Sequence, residues 1–159
     1  MQTLNLPAIT LRIRANKDKQ EVFDAIRRKF VALTSEEWVR QHFIKYLTDY
    51  KNVPPSLIAV EPSLRYQRLK KRSDIVVYGK DGMPCLIVEC KAPEVVITQA
   101  VFDQVAMYNM TLKVPYLAVT NGMEHFVCSV DHETGKIVFL KEVPLFDNMS
   151  LIRGRRTED

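Results

Sequence analysis

Apolar residues recur along the chain with two different periods, and the switches between them divide it into elements. In "TSEEWVRQHFIKYLTDY" the residues Val39, Phe43, Tyr46, Leu47 and Tyr50 fall at helical spacing. Thr34, followed three residues later by Glu37, has the form of a capping box, so the pattern predicts a helix over about residues 35–50. Pro54 and Pro55 stop it. The segments "SLIAVEPSLRYQ" and "SDIVVYG" then read as strands joined by the basic stretch "RLKKR". "GKDGMP" supplies turn chemistry, and "CLIVECK" is an apolar run suited to an inner strand. Helical spacing returns in "VITQAVFDQVAMYNMTL", with Ile97, Val101, Val105, Tyr108 and Leu112 on one face. "YLAVTNG" and "HFVCSVDHETGKIVFL" close the pattern as strands, the last pair joined at "DHETGK". Upstream, "ITLRIRA" alternates as a strand does and "EVFDAIRRKFVAL" is expected to form a short helix. The order predicts an α/β fold, a mixed β-sheet flanked by helices. Residues 1–34 are expected to be a strand and helix extension, 35–146 the core, and 147–159 a flexible tail.

Composition narrows the function classes. A chain of 159 residues with 47% hydrophobic residues suffices for one domain with a real core. Its three cysteines, Cys85, Cys90 and Cys128, fit neither a zinc pattern nor a complete disulfide frame, so reduced thiols and a cytoplasmic location are expected. The start "MQTLNLPAIT" lacks the form of a secretory signal, and no stretch approaches the roughly 18 apolar residues of a membrane span. A net charge of +4 permits a polyanionic partner without requiring one.

Chemistry concentrates in "SDIVVYGKDGMPCLIVECKAP", residues 73–93. Side chains alternate across a strand, so Glu89 and Lys91 share a face and Cys90 packs on the other. If the two apolar runs pair as a hairpin, Asp74 lies close to Glu89, and two carboxylates and an ammonium meet at one corner. Like charges at that range resist ionising together. A divalent cation removes the conflict, and magnesium takes one or two carboxylates with water completing its shell. Lys91 is then placed to orient or activate a bound water and to stabilise charge on a phosphate under attack. For an isolated Glu-x-Lys, a solvated strand end is the simpler explanation. The acid-to-acid spacing, the two strongly apolar strands and the helix that follows shift that balance.

Asp74, then fourteen residues, then Glu89-Cys90-Lys91 resembles the PD-(D/E)XK nuclease superfamily, and "QVAMY" resembles its Gln-x-x-x-Tyr extension. "LTSEEWVRQHFIKYL", "RSDIVVYGKDGMPCLIVECKAP" and "FDQVAMYN" are similar, in order and spacing, to the N-terminal nuclease domain of type I restriction enzyme R subunits. The resemblance implies a restriction-endonuclease-like fold, with Asp74 and Glu89 as metal-binding acids, Lys91 as the catalytic lysine, and Gln104 and Tyr108 as further catalytic-site residues. It also implies Mg2+, replaceable by Mn2+, as cofactor, with DNA and other restriction-modification subunits as partners. Ser73 stands where the motif has proline, and no G-x-x-x-x-G-K-[ST] loop for a translocating ATPase is present.

Read from the residues alone, Tyr108 belongs to the apolar stripe, and Gln104 on its flank suits either the site or a nucleic-acid backbone. Glu36 lies seven residues before Phe43 and is assigned to the inward face near the metal, with a solvated helix-start carboxylate as the alternative; Glu37 is assigned to the outer face. The basic run Arg65, Arg68, Lys70, Lys71 and Arg72 suits phosphate contact or an ordinary charged hairpin tip. His42, His125 and His132 lack metal-ligand spacing. Two functions follow: a magnesium-dependent DNA endonuclease domain, or a non-catalytic nucleic-acid-binding or assembly module on the same fold.

Overall fold

The structure, a computed structural model, describes residues 1–66 and 69–155, with side chains described outside 63–72 and up to residue 150. Three antiparallel strands come first: β1 (Ile13–Asn16), β2 (Lys19–Asp24) and β3 (Lys29–Ala32). The helix expected within residues 21–33 is therefore two strands and a turn. Asp24 decides this. Its Oδ1 accepts from the backbone N–H of both Ile26 and Arg27 at 2.8 Å, a local bonding pattern that competes with helix, and Arg28 closes the turn with φ of 56°.

Helix α1 (Ser35–Tyr50) starts as its sequence predicts, with Thr34 Oγ1 accepting from the Glu37 N–H at 3.0 Å. It buries Val39, Phe43, Ile44 and Leu47, while Tyr50 is exposed. A short 3-10 turn over Pro55–Leu57 leads into β4 (Ile58–Val60). The single long strand expected here breaks because Glu61 takes a left-handed conformation ahead of Pro62. Beyond the break, β5 (Ser63–Tyr66) and β6 (Leu69–Arg72) pair with each other, so most of the basic stretch is strand rather than connector. Next come β7 (Ile75–Tyr78), β8 (Pro84–Cys90), α2 (Gln99–Leu112), β9 (Tyr116–Thr120), β10 (His125–Val130), β11 (Ile137–Leu140) and α3 (Phe146–Arg155).

The main sheet has six strands in the order β11-β10-β9-β8-β7-β4. Only β8 and β9 run parallel, which requires the crossover that α2 provides. Strand alternation sends Ile75, Val77, Leu86, Val88, Cys90 and Ala118 into the core beneath α1. Val76, Ile87, Leu117 and Val119 enter a second core beneath α2. Cys90 is thus a packing residue, as alternation requires, and all three cysteines are buried and outside any disulfide among the described residues.

The ends of the chain are integral to this fold. Leu4 is part of the α1 core, Asn5 N–H donates to the Gly122 carbonyl at 2.8 Å, and Trp38 Nε1 donates to the Gln2 carbonyl at 2.8 Å. At the other end, residues 147–155 of the segment expected to be a flexible tail lie in α3, which buries Phe146 and Met149. Gly122 sits under Leu4 with φ of 85°, and a Cβ there would meet Leu4 Cδ2 at 2.8 Å and Val39 Cγ2 at 3.1 Å. Gly122→Ala should therefore cost about 1–3 kcal/mol through backbone strain and overpacking. A clear drop in thermal midpoint is the expected readout.

Candidate active site

Alternation in β8 places Glu89 and Lys91 on one face at the end of the strand, with Lys91 Nζ 3.7 Å from Glu89 Oε1. Ile75 pairs with Val88, so the register carried one step further sets Asp74 opposite Glu89. Asp74 is anchored at both oxygens. Its Oδ2 accepts from the Cys90 N–H at 2.8 Å and its Oδ1 accepts from Arg40 Nη2 at 2.8 Å. The register thus sets Asp74 and Glu89 across from each other, but the charge bonded to Asp74 is a guanidinium from α1, where the sequence reading supplied a metal and Lys91.

Arg40 is one link in a longer ionic chain. Its Nη1 donates to Glu37 Oε1 at 2.7 Å, and its Nη2 lies 3.1 Å from Glu36 Oε1 and 3.3 Å from Glu61 Oε1. Arg27 shares the same Glu37 oxygen at 2.7 Å and bonds Asp24 Oδ2 at 2.7 Å, while Gln41 Nε2 donates to both Asp24 and Glu37. Glu37 is buried, which corrects its assignment to the outer face; receiving two guanidinium groups and an amide makes that burial tolerable. Its backbone N–H takes the Thr34 cap, while its side chain turns to Arg27, Arg40 and Gln41.

Burial and the adjacent Asp74 carboxylate raise the pKa of Glu36. Glu36 and Asp74 share Arg40 Nη2, at 3.1 and 2.8 Å, which sets Glu36 beside the acid corner; its side chain is 47% exposed, so it stands at the rim. Burial and then the same carboxylates push the Cys90 thiol up, leaving it neutral beside them. For Arg40, burial opposes the charge, but the Asp74 bond and the Glu37 charge outweigh it and raise the pKa.

Asp24, at the far end of the chain of charges, keeps its charge for the same reason as Arg40. Burial raises its pKa, yet the bonds from Arg27 and Gln41 together prevail and hold it below the ordinary value. A carboxyl lowered in the folded state adds stability above its unfolded value of about 3.9, and loses it as pH falls through the folded value. Asp24→Asn should unfold at lower urea than wild type near neutrality, with the gap narrowing below about pH 4.

The other residues named from the sequence belong to α2 and to the basic run around β5 and β6. On α2 the buried face is Phe102, Val105, Ala106 and Asn109, so Tyr108 is half-buried on the flank of the stripe and not at its centre. Gln104 is exposed and, among the described residues, bonds none of Asp74, Glu89 or Lys91. The β5–β6 pairing brings Arg65 opposite Lys70 and Lys71 opposite Leu64, just ahead of Asp74. Arg68 and the side chains of Arg65, Lys70, Lys71 and Arg72 lie outside the described residues. Sequence reasoning missed Arg40, Glu37, Arg27 and Asp24. The only sequence signal was the density of charge on the first half of α1, which periodicity alone does not assign to partners.

The donors suit a hard cation. Among the described residues no group of three or more His, Cys, Asp or Glu is gathered as a metal centre; magnesium itself needs only one or two carboxylates, with water completing its shell. Arg27 and Arg40 tie Asp24, Glu36, Glu37, Glu61 and Asp74 into one ionic network, and Lys91 lies beside Glu89. Among the described residues no helix is long and apolar enough to cross a membrane.

A mixed sheet with a helix on each face and a charged corner at the end of an inner strand is a restriction-endonuclease-like fold. A fragment assigned to an HsdR subunit of a type I restriction enzyme from Vibrio vulnificus YJ016 has a similar fold, with a TM-score of 0.51 and 20% identity over 76% of this chain. This chain spans 26% of that one. Residues 35–144 match the family described as type I restriction enzyme R protein N terminus, and the chain belongs to that family. No curated protein matches it.

Proposed function

We propose that this chain is a magnesium-dependent DNA endonuclease domain acting within a type I restriction system. The observation that supports this most is the placement of Asp74 opposite Glu89 at the end of the β7–β8 pairing, with Lys91 3.7 Å from Glu89 and Glu36 sharing Arg40 with Asp74. Asp74 and Glu89 would hold the ion, with Glu36 at the rim, and the bound ion supplies Lewis acidity toward a phosphate oxygen. Lys91, partly solvated beside Glu89, orients the attacking water and offsets the negative charge that builds on the phosphate. Gln104, exposed on α2, is available for a backbone phosphate, and Tyr108 supports that helix from its half-buried flank. Cleavage of supercoiled plasmid across a magnesium titration tests the reading. Wild type should nick it only with the metal, and Asp74→Asn should not; cleavage that persists in chelator, or in Asp74→Asn, overturns it.

A non-catalytic binding module is the second reading, favoured by Arg40 already neutralising Asp74. It predicts DNA retention that is indifferent to magnesium, with no cleavage.

In either case the basic run is assigned to phosphate. Each neutralised phosphate releases counterions, so replacing Lys70, Lys71 and Arg72 together by alanine should make the logarithmic salt slope shallower by about two to three units. Folding must be checked in the same protein because Asp74 follows closely. An unchanged slope in a folded variant would assign DNA contact elsewhere.

A further inference from the structure

The Arg40 guanidinium, with its side chain 5% exposed, touches four carboxylates drawn from three parts of the chain: Glu36 and Glu37 of α1, Glu61 after β4, and Asp74 before β7. Its Nε is buried with no hydrogen-bond partner among the described residues. The group is thus oriented for its two terminal nitrogens, at the cost of an unsatisfied donor. Asp74 is gripped from two directions, one oxygen by Arg40 and the other by the Cys90 N–H, which fixes the plane of the carboxylate.

We propose that Arg40 is a positioning residue for the acid corner: its forked contacts lock the Asp74 carboxylate against the end of β8 and carry Glu36 beside it. The purpose of that locking rests on the cation site proposed above; the locking itself does not. A mere counter-charge would be replaceable by lysine. A positioning fork is not, because an ammonium on a flexible stem lacks the planar pair of donors that reaches Asp74 and Glu37 at once.

The test reads the Cys90 amide, whose N–H reports on Asp74, by native-state hydrogen exchange in wild type, Asp74→Ala and Arg40→Lys. Amides of Leu86, Ile87 and Val88, within the β7–β8–β9 ladders, serve as the internal reference. Positioning predicts that Arg40→Lys speeds exchange at Cys90 by about tenfold or more, as loss of a bond to a charged group would, and so resembles Asp74→Ala. In Arg40→Lys the reference amides should stay near wild type, whereas in Asp74→Ala, which also loses global stability, the Cys90 change is read as its excess over the reference. Cys90 exchange like wild type would overturn the proposal, and so would joint acceleration of Cys90 and the reference, which would make Arg40 a support of the whole fold.

Mn2+ calorimetry on the same proteins separates this from the proposed function. Positioning predicts weaker Mn2+ binding in Arg40→Lys and also in Arg40→Met, although the methionine removes a repelling charge. A counter-charge predicts tighter binding in Arg40→Met, and that result overturns the proposal. Wild type that binds no Mn2+ while the Cys90 exchange result holds would overturn the metal site and leave the positioning role standing.

Discussion

Lys91→Met should still take up Mn2+ while losing DNA cleavage by about 10²–10³-fold or more, the loss typical of removing one preorganised charge from a reacting centre. The ammonium lies 3.7 Å from Glu89 Oε1 and is about one-third exposed, so it is not buried as a support of the core. Methionine keeps the length of the stem and deletes only the charge. Because an ammonium does not ligate a cation and repels one, Mn2+ affinity should hold or rise. Calorimetry and plasmid nicking on one preparation check both halves. Cleavage that survives, or Mn2+ binding lost along with it, would remove the water-orienting role.

Substitution of the two acids should separate into two phenotypes. Glu89→Gln is expected to lose Mn2+ affinity and cleavage while its thermal midpoint stays near wild type. Asp74→Ala should lose both and also destabilise the protein by about 3–5 kcal/mol, since it leaves the buried Arg40 guanidinium without a principal partner. This differs from the expectation drawn from the sequence alone, in which both carboxylates serve the cation and neither serves the fold. Asp74 is 9% exposed and bonded at both oxygens, so here it serves the fold as well. Asp74→Asn retains the acceptor for Arg40 and is the milder control. Equal stability of Asp74→Ala and wild type would show that the ion pair contributes nothing to the fold.

What was legible in the sequence was what depends on local period. The paired strands β7 and β8, the sides taken by Glu89 and Cys90, and the Thr34 cap of α1 all follow from alternation or from one fixed spacing. The N-terminal sheet did not, because "EVFDAIRRKF" carries apolar residues compatible with either period, and the outcome turned on one side chain, Asp24, bonding its own turn. The roll of α2 was off by about one position. Asn109 takes a buried place by donating Nδ2 to the Val114 carbonyl at 3.0 Å, a partner that a hydrophobicity pattern does not represent. The network from Asp24 through Arg27, Glu37 and Arg40 to Asp74 was illegible for a related reason. Periodicity gives the angle of a side chain on its own helix, whereas these charges are satisfied from β2, α1 and the segments flanking β4 and β7, whose mutual placement exists only in the fold.

Where a divalent ion binds is most directly read by titrating Mn2+ into the isotopically labelled protein and recording which backbone amides broaden. Binding at the acid corner should broaden Ser73, Asp74, Cys90 and Lys91 first, with Glu36 close behind, and Glu89→Gln should abolish the effect. Broadening centred elsewhere, or broadening at this corner that Glu89→Gln leaves intact, would contradict a cation site built on Asp74 and Glu89.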